Sequence, residues 1–198
     1  MSIDNGSIIR FAIVGSGWRS LFYVRIAKAL PEKFKLLAML CRTQEKADKM
    51  ATEYNIPTST SESEVLAMKP DFIVSAVNKS SMNEIARHYA SLGIPVLSET
   101  PAALDKTTLF DTWNDYKNGY KIQVAEQYFQ YPTYAKLIQT VQSGIIGNPV
   151  SIHISAMHDY HAVSIIRKLL QCGCEDVKIT GKTFDMQVTD TKTRPWKQ

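Results

Sequence analysis

Three places in the chain combine residue types that can do chemistry. The first is Gly15-Ser16-Gly17, which follows the apolar run Phe11-Ala12-Ile13-Val14 and precedes an amphipathic stretch starting near Trp18. A strand that turns through glycines into a helix binds phosphate. Gly15 permits the tight turn, and Gly17, lacking a Cβ, lets the backbone close on a pyrophosphate. The charge then rests against free N–H groups and the positive dipole end of the helix, which makes Ser16, Trp18 and Arg19 candidate contacts too. Ser20 stands where the G-x-G-x-x-G/A fingerprint has its third small residue, and serine is small enough for close helix–strand packing. An ordinary strand-to-helix turn is the alternative.

The second place is Cys41-Arg42-Thr43, after the next apolar run. A dinucleotide-binding fold carries an acid there, about 20 residues beyond the glycines, for the adenosine 2′-hydroxyl. That acid is absent. The guanidinium of Arg42 and the hydroxyl of Thr43 suit a 2′-phosphate, which favours NADP(H), with NAD(H) as the alternative. A solvated surface arginine is the competing reading. The third place is His158-Asp159-Tyr160-His161. An imidazole with an ordinary pKa of about 6.5 exchanges protons near neutral pH, so His161 is the first choice for proton transfer, ahead of Tyr160 and Asp159. His161 equally suits a helix-end residue bonded to the backbone, and Asp159 equally suits a helix N-cap.

These residues need elements to hold them. Over the first 125 residues, apolar runs of strand length alternate with 3.6-period segments, the pattern of a parallel α/β sheet. Strands are predicted over 8–14, 35–41, 56–58, 72–77, 95–98 and 121–125. Helices are predicted after Trp18, with Trp18, Phe22, Ile26 and Ala29 sharing one face, and over 44–54, 61–68, 82–92 and 105–117. Six strands complete a doubly wound sheet, and its carboxyl edge receives Val77-Asn78 and Glu99-Thr100-Pro101, where open α/β folds bind ligands. From residue 126 the pattern changes. Helices are predicted over 131–143 and 162–170, and strands over 149–157 and 177–188. Two strands and their helices bury too little to close a core, so residues 126–198 read as the start of an α+β domain with an unfinished open sheet.

Composition narrows the function classes. Of 198 residues, 23 are Lys or Arg and 19 are Asp or Glu, a net charge of +4 scattered along the chain rather than gathered on one face. That argues against nucleic acid and suits an anionic cofactor. No stretch approaches the roughly 20 apolar residues of a membrane span, and no secretory signal is visible, so a cytoplasmic protein is expected. Cys41, Cys172 and Cys174 lack the partners of a metal site and read as reduced thiols. No metal is expected.

Taken in order, four landmarks resemble the glucose-fructose oxidoreductase, inositol dehydrogenase and rhizopine catabolism family (Gfo/Idh/MocA). They are Gly15-Ser16-Gly17, the block from Gly93 to Pro101, the run Ser143-Gly144-Ile145-Ile146-Gly147-Asn148-Pro149, and His161 with Arg167-Lys168-Leu169-Leu170. The resemblance covers about residues 8–185. It implies a Rossmann domain over 1–125, a partial substrate and oligomerisation domain over 126–198, and NAD(P)-dependent oxidation or reduction of sugars, cyclitols or related polyols. It also implies a homo-oligomer, dimer or tetramer, truncated here because family chains run beyond 300 residues. Glu99 would bond the nicotinamide ribose or orient its neighbours. Two departures weigh against simple transfer. The family's Glu-Lys-Pro lysine is Thr100, whose hydroxyl cannot serve as an ammonium acid. Met157 occupies the acid position four residues before His161, and Ser164 stands where a further acid is common. A dinucleotide-binding sensor without turnover, and a reductase of the biliverdin-reductase kind, are the alternatives.

Overall fold

The computed structural model describes residues 7–155, 159–173 and 175–185. Six strands form one parallel sheet: β1 (Ile9–Val14), β2 (Phe34–Leu40), β3 (Thr58–Ser59), β4 (Phe72–Ser75), β5 (Val96–Ser98) and β6 (Ile122–Val124), in the order β3-β2-β1-β4-β5-β6. That order reverses direction beside β1, so the crevice at the carboxyl ends of β1 and β4 is the topological switch point. Helices α1 (Ser20–Ala29), α2 (Gln44–Tyr54), α3 (Glu62–Ala67), α4 (Lys79–Ser91) and α5 (Lys106–Lys117) connect the strands.

Strand alternation sends β1 side chains to two cores. Phe11 and Ile13 pack with Val24, Met39, Met50 and Val74 on one face, whereas Ala12 and Val14 pack with Val65, Ile73, Tyr89 and Val96 on the other. Both faces are therefore covered, as a parallel sheet requires. Caps set several helix starts. Thr43 Oγ1 accepts from the N–H of Lys46 at the head of α2, and Asp105 Oδ1 accepts from Thr108 at the head of α5. Asn78 does the same for α4 through the N–H of Ser81, so α4 starts three residues earlier than its apolar pattern suggests.

The apolar face read for α1 is not the one it buries. The buried stripe of α1 is Ser20, Val24 and Ala27, while Trp18 is 61% and Ile26 42% exposed and Phe22 lies outward under the guanidinium of Arg19. Both stripes have helical spacing. The glycine turn decides between them, because only small side chains fit where α1 leaves the sheet so closely.

After β6 the chain makes a 3₁₀ turn (Tyr128–Gln130) and two helices, α6 (Pro132–Gln142) and α7 (Asp159–Leu170). Ile138 and Val141 of α6 pack on Ile165 and Leu169 of α7, with Tyr128, Phe129 and Tyr134 against them. The predicted strands at 149–157 and 177–188 form no ladder over their described parts, 149–155 and 177–185. A helix closes its own hydrogen bonds, whereas a strand needs a neighbour, and no neighbouring strand is present among the described residues. Helix α7 starts earlier than predicted, so Asp159 opens the helix instead of capping it. No helix among the described residues is long and apolar enough to cross a membrane.

Candidate functional site

The glycine turn is built by close approach. Gly15 has φ +107°, and a Cβ there would stand 2.4 Å from the carbonyl oxygen of Ala76, so β1 and the end of β4 meet only because this residue has no side chain. Its N–H donates to Leu40 O at 3.2 Å. A Cβ on Gly17 would meet nothing within 4 Å, which leaves its backbone open on the solvent side. Ser20, fully buried, donates from Oγ to Gly15 O at 2.9 Å and ties α1 to the turn.

The turn is one wall of a cavity of about 810 Å³. Gly15, Ser16, Gly17, Trp18 and Arg19 line it, as do Arg42, Val77 and Asn78. Lys46 lines it as well. This lysine lies in the first turn of α2, four residues after Arg42, and that nearness to the end of β2 is its signal in the sequence. Thr43 is not on the wall; its hydroxyl caps α2. Cys41, buried at the end of β2, has its thiol pushed up by burial, against a hydrogen bond from Ser16 and the charge of Lys46. Cys41 and Cys172 are free thiols, and Cys174 lies outside the described residues.

Glu99 stands behind the wall. It is buried, and its Oε1 accepts from Arg19 Nε at 2.7 Å and from the Tyr23 hydroxyl at 2.5 Å. Burial and then the bond to Glu99 push the Tyr23 phenol far above its ordinary value. Glu99 thus orients Arg19 and Tyr23 beneath the glycine turn. Thr100 follows it, with its N–H 3.4 Å from Glu99 Oε2, and precedes a cis bond to Pro101.

His161 is buried in the first turn of α7, and its Nδ1 is 2.5 Å from Oε2 of Glu126, the second residue after β6. The other oxygen of Glu126 accepts from the N–H of Tyr128 at 3.0 Å. A carboxylate oxygen in this position accepts from an imidazole N–H and so fixes the ring's orientation. The rings of Tyr128 and Tyr160 lie 4.3 and 4.4 Å from the imidazole. Lys79, the first residue of α4, stands 5.6 Å from the Tyr160 ring. The first turn of α7 therefore sits over the carboxyl edge of the sheet, although neither His161 nor Tyr160 lines the cavity. Glu126 and His161 are 35 residues apart, and no local pattern joins them. No side-chain position of Asp159 is described.

A strand–glycine turn–helix at a switch point, with cations lining the same cavity, defines a dinucleotide-binding α/β protein. The chain belongs to the oxidoreductase family with an NAD-binding Rossmann fold, Gfo/Idh/MocA, whose model matches residues 9–124. Among solved structures it is similar to a Desulfitobacterium hafniense protein described as an NADPH-dependent oxidoreductase, at 21% identity and TM-score 0.61 over 71% of this chain and 41% of that one. The WlbA dehydrogenase of Bordetella pertussis, solved with NADH and UDP-GlcNAcA, matches at 20% identity and TM-score 0.62, covering 72% and 45%. The myo-inositol dehydrogenase of Lactobacillus casei, solved with NAD(H) and myo-inositol, matches at 12% identity and TM-score 0.72, covering 83% and 55%. At these identities the likeness is one of fold. The chain spans about half the length of these structures or less. No curated protein sequence matches it.

Proposed function

We propose that residues 1–125 are the cofactor domain, and residues 126–198 part of the substrate domain, of an NADP(H)-preferring oxidoreductase acting on a sugar, cyclitol or related polyol. The observation that carries the cofactor preference is that Arg42 and Lys46 line the same cavity as the glycine turn, with no acid at the end of β2. Two cations favour a 2′-phosphate through charge-assisted hydrogen bonds. A bound nicotinamide supplies or accepts the hydride. The chain does the rest. Gly15, Ser16 and Gly17 cradle the pyrophosphate, while Val77 and Asn78 flank it at the carboxyl edge. His161, held by Glu126, exchanges the proton of the substrate oxygen, with Tyr160 beside it as the second donor and Asp159 as the third candidate. A dimer or tetramer in the cytoplasm completes the reading, by analogy with the family.

Titration of the whole protein with NADP⁺ and NAD⁺, followed by tryptophan fluorescence, to which Trp18 on the cavity wall contributes, tests the preference. NADP⁺ is expected to bind more tightly. Arg42→Ala should weaken it selectively by about 1.5 to 3 kcal/mol, the worth of a hydrogen bond to a charged group. Equal affinities would overturn the argument from Arg42. A sensor that binds the dinucleotide without turnover is the second reading, and Thr100 in place of the family lysine is what favours it.

A further inference from the structure

The cavity has lining residues that the glycine turn and the two cations leave unexplained. Glu62 at the head of α3, and Ile85, His88 and Tyr89 in the second half of α4, line it as well. Leu40, Ala76 and Val77 give the same wall an apolar strip suited to a flat ring. Glu62 is the single carboxylate on this wall among the described residues. It is fastened from α4: Oε1 is 2.8 Å from His88 Nε2, and the Tyr89 hydroxyl also bonds it. Burial pushes the Glu62 carboxyl up, but the bonds from His88 and Tyr89 outweigh it and hold the group below the usual carboxylate range. Tyr89 is itself buried, and its phenol is pushed up by that burial and by Glu62, so it stays a donor.

An ionised carboxylate has about four acceptor sites and no donor. His88 and Tyr89 occupy two of them. What remains is an acceptor of fixed position, and it selects a ring that presents a donor. Adenine carries an exocyclic amino group, whereas its deaminated counterpart hypoxanthine carries an oxo group in the same place. The oxo group would set acceptor against acceptor. The geometry points to Glu62 as the residue that reads the base of the dinucleotide, accepting from the N6-amino group of adenine and rejecting a 6-oxo purine. This rests on the dinucleotide reading of the cavity. It concerns the base, whereas Arg42 concerns the phosphate on the ribose that carries that base.

Matching NADP⁺ with its hypoxanthine analogue tests the contact, since the two differ only at the 6-position and at the adjoining ring nitrogen, which carries an N–H in hypoxanthine. The whole protein is titrated with each, for the wild type and for Glu62→Gln, and the ratio of the two dissociation constants is the readout. The wild type should favour the adenine form roughly 10- to 100-fold, the factor that a hydrogen bond to a charged group carries. In Glu62→Gln the amide can turn to present either a donor or an acceptor, so the ratio should fall to about two or less. A role limited to joining α3 to α4 would change both affinities together and leave the ratio alone. A wild-type ratio near one, or an unchanged ratio in the variant, overturns the assignment. Failure to bind either dinucleotide overturns the cavity's dinucleotide reading and this assignment with it. His88→Ala provides the second variant: the carboxylate stays, so discrimination should persist, reduced, and complete loss there with none in Glu62→Gln would assign base reading to His88.

Discussion

Residues 9–124 and residues 126–185 are about equally rich in apolar runs, yet only the first stretch turns its runs into a sheet. In the first, Ile13 is paired to Met39 on one side and Val74 on the other, and all three are fully buried. In the second, Val150 is 96% and Ile179 85% exposed, each in a segment with a strand's alternation and no ladder. The helices of the second stretch form regardless. Helix α7 closes its own hydrogen bonds and needs only α6 to cover Ile165 and Leu169. Amphipathic pattern is thus enough for a helix and not for a strand, whose backbone is satisfied by a partner.

Within the second stretch Glu126, two residues after β6, holds His161, and breaking that contact has the largest expected effect. In the whole protein, assayed with sugars and inositols and NADP⁺ or NADPH, His161→Ala should lower turnover about 100- to 10,000-fold, the usual worth of general acid–base catalysis. Glu126→Gln keeps the shape of the side chain but removes its charge, so it should lower turnover by a smaller factor and shift the pH profile. Thr100→Ala should change little. Unchanged turnover in His161→Ala and in Tyr160→Phe would remove both from the chemistry, while cofactor binding without turnover on any substrate would favour the sensor.

A middle-sized effect contrasts two glycines of the first stretch. Gly15→Ala places a methyl against Ala76 in a backbone conformation that L side chains rarely adopt, and it should destabilise the chain by about 3 kcal/mol or more. Gly17→Ala meets open space, so its denaturation midpoint should stay near that of the wild type while dinucleotide affinity falls. A wild-type midpoint for Gly15→Ala would show that β1 and β4 do not approach as closely as described.

What was legible follows the same physics. The helix over 44–54 could be bounded from Thr43 and the apolar spacing because both signals are local. The strand–glycine–helix unit was legible because each part of it is a run of neighbours. The inner face of α1 was not, since Trp18-Phe22-Ile26 and Ser20-Val24-Ala27 have the same period and only the tight turn beneath Ser20 separates them. The pairs Glu126–His161 and Glu62–His88 join residues 35 and 26 apart, and a charge has no pattern that announces its partner at such range. Lys46 was within reach, in the first turn of a helix that starts two residues after Arg42.

The smallest effect tests the opening contrast directly. Val74 is fully buried in β4, and Val74→Ala should cost about 2 kcal/mol through lost methyl burial and the space left behind. Val150→Thr and Ile179→Thr change side chains that touch little, so each should stay within about 0.5 kcal/mol of the wild type in urea denaturation. Exposed apolar side chains gathered in one stretch should also bind a hydrophobic dye, and both threonine variants should bind less. If instead either threonine substitution costs as much as Val74→Ala, that side chain is covered in solution. Repeating the denaturation at several protein concentrations then tells what covers it: a midpoint that rises with concentration means a second subunit, because association stabilises the folded state by mass action, whereas a constant midpoint means pairing within the chain.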